Sequence, residues 1–392
     1  MKILTIGNSP YNNNSCSKIH ASIIKKMLMN KHEVSVSCWN YDTVYHYGEN
    51  NEFYYEFNNV KVPVNPYKKD SNEVIFLYEL IKTLEPDVII GIGDVNDFYF
   101  MKAIKSFSEI DFKWILILTN HNYPILRDHE EVIPIADSVF CTSQVSCNSL
   151  MHLNKNVDWA YYGSSSEYNP NKIDNDKFNV CLLGLNTQIE NIPSVIKSID
   201  ILSYMIPSLN FYLHTNLQDG DHDIYALIKD KKYIFTPENY ISAIDDCSDN
   251  EFNEMFNKMD VVISASMVSA VGCSIFNAMA CGVIPVLSNT KFHSEVINSL
   301  LTDSDLSLHK HDLLIDSIEI HAVNDYRLKI IKQESLIKNL YNIYINLNKL
   351  KQEACFISKF SKIHSRKNFL NKFNEFLIKT VKSSNVVYLE TV

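Results

Sequence analysis

Glycine is scarce in this chain, with only 9 among 392 residues. Glycine normally serves tight turns and close backbone approaches, so polar residues must stand at many loop positions where glycine is usual. Asn, Lys, Ile and Tyr are frequent instead, a bias of the kind an AT-rich genome imposes, and it says little about fold. Long apolar runs are also missing. None reaches the ~18 residues needed to span a bilayer, and Met1 leads straight into a strand pattern rather than a charged leader, so a cytoplasmic protein is expected. The 9 cysteines are odd in number and include no C-x-x-C. With Cys141, Cys181 and Cys281 inside apolar runs, they read as reduced packing residues and exclude a disulfide framework. An excess of positive charge is absent too. Lys and Arg number 36 against 46 Asp and Glu, giving −10, which supplies no general drive towards nucleic acid or anionic membrane and leaves open only a local basic patch.

What is present is an ordinary globular balance, 46 % hydrophobic and 21 % charged, in a chain long enough for two or three domains. Lys2 to Gly7 reads as a buried strand, Asn8 to Ser15 as a polar loop, and Ile19, Ile23, Met27 and Leu28 as one helix face before the strand from Glu33. This βαβ rhythm continues through strands at Val88–Ile92, Trp114–Leu118 and Ser138–Cys141, with Val157–Tyr161 closing the series. Tyr162 to Phe178 is polar and carries Gly163 and Pro170, as an interdomain linker does. A second α/β series follows, with strands at Val180–Leu183, Phe211–His214 and Tyr233–Phe235 and a helix at Ile192–Tyr204. After Leu313 the periodicity reads as wholly helical, through Tyr341, Tyr344, Leu347, Leu350, Phe369, Phe373, Phe376 and Leu377. The fold class expected is α/β: two Rossmann-like domains with a helical C-terminal segment.

The most informative stretch is Met259 to Asn289. A β-branched run from Asp260 to Ser264 leads into small polar residues up to Gly272. Ile275, Phe276 and Met279 then recur at helical spacing until Gly282 stops the helix, and Val283 to Leu287 is a second buried strand. A loop of small residues between a parallel strand and a helix N-terminus is where α/β proteins bind phosphorylated ligands.

This stretch resembles the retaining GT-B glycosyltransferases, the group 1, glycogen-synthase-like superfamily. Ala278 to Pro285 is similar to their AMACG-x-PV element. MKILTIG with Lys31–Val36 resembles their opening strands, and Thr119-Asn120-His121 with Ala136–Ser138 and Ser143 their H…AD…S run. Gly163 with Tyr168-Asn169-Pro170 looks like the G-x-D…F-x-P linker, and Glu295-Val296-Ile297 like a later E-V-I. The resemblance implies a GT-B fold with a cleft between two domains. The acceptor-side domain would span 1–162, the linker 163–178, the nucleotide-sugar domain 179–350, and a helical segment packing back across both 351–392. It implies a nucleotide sugar as donor, transfer with retention, no metal and no cofactor.

The same resemblance places candidate residues. Donor contacts fall on Asn8 and Ser9 after the first strand, and on Gly184, where a G-R turn begins. They fall also on Thr236, Pro237 and Glu238, where the base is read, and on Ser269, Val271, Gly272, Cys273, Asn277 and Lys291. His121 and Asp94 are the catalytic or acceptor-contacting candidates. For each a plainer role stays open: a solvent-facing loop histidine for His121, a helix N-cap for Asp94, ordinary loops for Asn8-Ser9 and Thr236–Glu238. His309-Lys310-His311 has no Cys or acidic partner at metal-site spacing, so no metal site is read. Lys359, Lys362, Arg366, Lys367 and Lys372, interleaved with Phe360, Phe369 and Phe373, read as an amphipathic helix with a basic face; contact with an acidic acceptor is the alternative.

The departures from the pattern bear on chemistry. Relatives carry a spaced pair of glutamates where this chain has Ser269 and Asn277, and the Arg and Lys that neutralise the leaving diphosphate fall at Leu185 and Glu190. Removing one preorganised donor of this kind costs on the order of 10²–10³ in rate. The helix N-terminus at Val271–Ser274, Lys291 and Arg127 are the remaining sources of positive potential. Three functional readings follow: a glycosyltransferase acting on a glycan or lipid-linked acceptor, a phage-type enzyme glucosylating hydroxylated DNA bases, and a non-catalytic GT-B scaffold. Donor sugar, acceptor and oligomeric state are not legible.

Overall fold

The computed structural model describes every residue except 12–14, 40–45, 48–52, 68–72, 108, 120–126, 173–175, 216–219, 237–247, 269–271, 322–326 and 383–392. The chain divides into two compact units. The first comprises residues 1–120, 125–161 and 368–392, and the second 121–124 and 162–367.

The first unit is built on one sheet. Its strands are β1 (Lys2–Asn8), β2 (Glu33–Trp39), β3 (His46–Tyr47), β4 (Phe53–Phe57), β5 (Val60–Pro66), β6 (Val88–Gly93), β7 (Lys113–Leu118), β8 (Ser138–Cys141) and β9 (Val157–Trp159), in the order β3-β4-β5-β2-β1-β6-β7-β8-β9. From β5 to β9 all neighbours are parallel, whereas β3, β4 and β5 pair antiparallel. The central strands β1 and β6 bury their apolar side chains on both faces, as near-continuous runs such as VIIGIG require. The β4–β5 turn is made by Asn58 and Asn59, both at positive φ (48° and 64°), an αL pair that asparagine tolerates and that stands where Asn-Gly is usual. Helix Arg366–Lys382 covers the far side of β8. Phe369, Phe373 and Phe376 surround the Phe140 ring at centroid distances of 5.4, 5.4 and 5.2 Å. Lys372 donates to Trp159 O (2.6 Å) and pairs with Asp158 (2.9 Å). The aromatic stripe of the basic tail is therefore a packing face, and Lys372 is tied down.

The second unit has a six-stranded, wholly parallel sheet: β10 (Phe178–Leu183), β11 (Leu209–His214), β12 (Ile234–Phe235), β13 (Val261–Ser264), β14 (Ile284–Ser288) and β15 (Leu314–Ile315), in the order β12-β11-β10-β13-β14-β15. Helix Cys273–Ala280 joins β13 to β14 and is buried almost all round. The wholly helical reading beyond Leu313 is corrected by β15 and by a hairpin, β16 (Ser317–His321) and β17 (Arg327–Ile331). SIEIH and RLKII alternate with period 2, and Glu319 lies opposite Lys329 in a 2.8 Å ion pair. The period-2 pattern was overridden in the reading by the longer helical repeat after it.

The segment after Tyr161 belongs to the second unit and is bonded along its length. Ser164 Oγ donates to Ser361 O (3.1 Å), Arg366 N to Ser164 O (2.9 Å) and Asn171 N to Asn257 Oδ1 (2.6 Å). Gly163 allows this. A Cβ there would stand 1.4 Å from His364 O, a clash with backbone that no side-chain motion relieves. Gly163→Ala is thus expected to lower the melting temperature by several degrees or to prevent folding, measured by circular dichroism. Gly272→Ala, with nothing within 4 Å of its added Cβ, should melt as the wild type does.

Candidate functional site

Open parallel sheets bind ligands at the carboxyl ends of the two strands between which the winding reverses. In the second unit that point lies between β10 and β13, because the chain winds from β10 out to β12 on one side and from β13 out to β15 on the other. Gly184 leaves β10 here and Ala265 to Met267 leave β13. The two loops are stitched together: Met267 N donates to Ile189 O (2.7 Å), and Asn191 Nδ2 to Ala265 O (2.7 Å) and Lys329 O (3.3 Å). Asn191 adopts φ 53°, the left-handed conformation that asparagine accepts more readily than most residues.

The 3₁₀ turn Gln188–Glu190 folds the Glu190 side chain back over Gly184, with Oε2 3.1 Å from where a Cβ would stand. Burial pushes the Glu190 carboxyl up to about 7, and the Ser266 side chain beside it acts the other way. Among the described residues, buried polar atoms without a hydrogen-bond partner at this end of the sheet include Thr187 Oγ1, Thr215 Oγ1 and His222 Nε2 in its loops and His293 Nε2 in the helix after β14. Buried groups of this kind are normally satisfied by protein, water or ligand.

One strand further, helix Cys273–Ala280 begins at Gly272. This N-cap has no capping side chain, and the space where a Cβ would be is open. Its first-turn N–H groups and the positive end of its dipole therefore present themselves to an anion. Cys273 is buried in the first turn. Asn277, a turn later, is also buried, and its Oδ1 accepts from Ser165 N at 3.1 Å, so its carbonyl already has a protein partner. Lys291 is exposed at the start of helix Lys291–Thr302, beyond β14. Thr236 follows the edge strand β12, two strands or ~10 Å from β10. Pro237, Glu238, Ser269 and Val271 lie outside the described residues.

Arg366 is a charged group that the pattern of the sequence placed on a solvated face. It is largely buried in the second unit, its guanidinium 5.1 Å from the centroid of the Tyr162 ring, with Nε and Nη2 buried and unpartnered. Burial opposes its charge, and Tyr162, Cys273, Asp249 and Tyr168 outweigh that and hold it charged. A charged donor left without acceptors in the interior is costly unless something supplies them. Its spacing within the run Lys359–Lys372 gave no sign of this.

The first unit has its own reversal point, between β1 and β6, where Gly7 lies beside Ile92. Asn8, Ser9 and Asp94 all fall there. Ser9 is fully buried and donates its N–H to Trp39 O (2.9 Å). Asp94 is half-buried at the N-cap position of the 3₁₀ turn Val95–Phe98, its own N–H bonded to Asp97 Oδ2 at 2.9 Å. Sequence reading missed His20, which fixes this edge: its ring nitrogens lie 2.7 Å from Asn8 O and 2.8 Å from Thr5 Oγ1. Burial lowers it to about 4, so it stays neutral at physiological pH. His121 lies outside the described residues. Among the described residues no cluster of His, Cys, Asp and Glu is placed to hold a metal, and no helix is long and apolar enough to cross a membrane.

Residues 225–343 match the family model described as "Glycosyl transferases group 1". The whole chain also superimposes on solved GT-B structures. Sucrose-phosphate synthase from Thermosynechococcus elongatus gives a TM-score of 0.73 at 9 % identity, covering 98 % of this chain and all of that one. A glycosyltransferase from Rickettsia africae gives 0.69 at 13 %, covering 97 % and 98 %. The pneumococcal O-GlcNAc transferase GtfA, in complex with UDP and GlcNAc, gives 0.65 at 9 %, covering 97 % and 99 %. The chain has the GT-B fold, and its residues 225–343 resemble the group 1 glycosyltransferases. No curated protein matches its sequence.

In the second unit Glu190 stands where the resemblance expects a cation, and burial raises its carboxyl towards neutrality. The linkage has a definite sign. The carboxyl is raised in the folded state, so folding holds a proton that the unfolded chain releases above about 4.3. Stability from this group is full below that value and falls as pH rises towards 7. Glu190→Gln should therefore exceed the wild type in stability by about 3 kcal/mol at pH 8, with the difference narrowing to about 1 kcal/mol at pH 5. Urea denaturation at the two pH values measures it.

Proposed function

We propose that the protein transfers a sugar from a nucleotide-sugar donor to a glycan or lipid-linked acceptor, with retention and without a metal. The donor's diphosphate lies at the open N-terminus of helix Cys273–Ala280, and its nucleoside extends over the carboxyl ends of β10 to β12. The observation that carries this reading is the uncapped Gly272, with no atom within 4 Å of its added Cβ, inside the segment that matches the glycosyltransferase family. Two structural neighbours support it. GtfA is described in complex with UDP and GlcNAc, and starch synthase IV from Arabidopsis thaliana as bound to ADP and acarbose.

In the transfer, the bond between the sugar's anomeric carbon and the diphosphate oxygen breaks and the diphosphate leaves with the electron pair. The acceptor oxygen bonds to the same carbon and its proton passes to a base or to the departing phosphate. Negative charge grows on the diphosphate while the sugar becomes cationic, so the helix dipole stabilises the state that forms. Arg366 adds positive potential on the same side, since Cys273 in the first turn is among the groups acting on it. Asn277 offers its amide nitrogen to the donor in place of a carboxylate. In the first unit Asp94 contacts the acceptor, and Asn8 and Ser9 contact the donor.

A second reading is a non-catalytic GT-B scaffold. The observations favouring it are the acidic Glu190 in place of a cation and the Asn277 carbonyl already taken by Ser165 N. A thermal-shift screen of UDP-, GDP- and ADP-sugars, followed by nucleotide release on adding acceptors, separates the two. A shift with one donor and release of its nucleotide supports transfer; no shift with any of them overturns it. With the donor identified, Gly272→Leu should weaken its binding at least tenfold without changing the melting temperature, and Arg366→Gln should weaken it about tenfold. Donor affinity should fall as pH rises through 7, and Glu190→Gln should flatten that dependence. NMR of the product's anomeric proton tests retention, and activity after EDTA treatment tests metal independence.

A further inference from the structure

The opposite, amino-terminal edge of the second unit's sheet holds a cavity of about 200 Å³ that the donor chemistry does not use. Its floor is the entry to β13 and β14, with Met259, Asp260 and Ile284. Its wall is one face of helix Leu347–Ile363, contributing Leu347, Leu350, Lys351 and Ala354 at helical spacing. Lys172 closes it from the segment that follows Tyr161. The lysine stem is exposed, while its amine turns inward and donates to Met259 O at 2.6 Å.

The lining is chemically divided. Lys172, Lys258 and Lys351 line it together with a single carboxylate, Asp260, whose Oδ1 lies 4.0 Å from Lys351 Nζ and whose Oδ2 accepts from Asn179 N at 2.9 Å. Apart from Asn257 and Gly282 the remaining walls are apolar. Cations exceed anions, so the space favours a negative charge; its size admits only a small molecule; and Met259, Ile284 and Leu350 offer that molecule an apolar resting surface. The geometry points to a second ligand site here, for a small amphipathic monoanion such as a short-chain carboxylate, held by Lys172 and Lys351 and seated on the aliphatic wall.

The ionisation of Lys172 fits this occupant. Burial lowers its amine to about 8, Lys351 adds to the lowering, and Asp260, Cys281 and Cys181 oppose it. The two thiols do not titrate in the relevant range, being raised by burial to about 11 for Cys281 and about 12 for Cys181. A bound carboxylate would favour the charged amine and so take up a proton on binding at pH 8. Affinity must fall as pH rises above about 8, where the amine of the empty site becomes neutral.

The experiment is calorimetric titration of the full chain with butanoate, and with butanamide as its uncharged counterpart. The expected result is saturable butanoate binding with a dissociation constant on the order of 1 mM, none with butanamide, and a several-fold loss between pH 7 and pH 9. Lys172→Met and Lys351→Met should each weaken butanoate at least tenfold, with circular dichroism confirming the fold; if Lys172→Met does not fold, Lys351→Met decides. Absence of saturable butanoate binding, equal binding of butanamide, or unchanged affinity in the folded variants overturns the site. Neither result depends on nucleotide-sugar binding, which occupies the other edge of the sheet.

Discussion

A helix buried on nearly every side must still satisfy the polar groups at its two ends, and helix Cys273–Ala280 does so asymmetrically. At its carboxyl end the protein supplies the partners. Ser358 Oγ donates to Ala280 O (2.7 Å), Ser361 Oγ to Phe276 O (2.6 Å), and Gly282 turns the chain at φ 76° so that Val283 N returns to Ala278 O (3.1 Å). Helix Leu347–Ile363, which carries both serines, approaches so closely that a Cβ on Gly282 would meet the Ala354 Cβ at 3.2 Å. At the amino end there is no capping side chain and no neighbour to Gly272. The helix is thus tied down at its carboxyl end, while no side chain caps its amino end, which is where the proposed function seats an anion.

That asymmetry was half legible in the sequence. Gly282 after a helical period marked the stop, and the small residues before Gly272 marked a loop that lets phosphate approach. Strand identity was clear where burial on both faces makes a continuous apolar run, as in VIIGIG and KWILIL. It failed where strands are short, amphipathic and close to a stronger helical signal, as in SIEIH and RLKII. It also failed for β4 and β5, whose turn is Asn-Asn where Asn-Gly is usual, a direct result of scarce glycine.

The candidate site was legible in its backbone and not in its charges. Gly184, Gly272 and Asp94 announce themselves by position after strands. Arg366 does not, because a lone cation in a run of lysines looks solvated until the fold buries it under Tyr162. Glu190 is visible as a residue, but its raised ionisation depends on the turn that lays it over Gly184. His20 likewise lies on an apolar helix face, and only the approach of β1 shows which groups its nitrogens hold. Side-chain contacts between segments distant in sequence have no local signature.

The electrostatics of the donor edge turn on two opposed groups. The helix N-terminus contributes roughly half a positive charge, and an ionised Glu190 would contribute a full negative one nearby. Were Glu190 an ordinary carboxylate, it would be ionised at neutrality and the site would repel a diphosphate. Its burial shifts that balance, because near pH 7 the carboxyl is neutral about half the time, and a neutral carboxyl donates a hydrogen bond instead of repelling. An arriving diphosphate would raise it further, so binding itself drives the protonation that removes the repulsion. Under the proposed function, two features stand in for the cation that the resemblance expects: the acidic residue is raised by burial, and a charged guanidinium with two unfilled donors is buried among groups that include the first turn of the helix. A site with no remaining ligand would gain stability by pairing or expelling such groups.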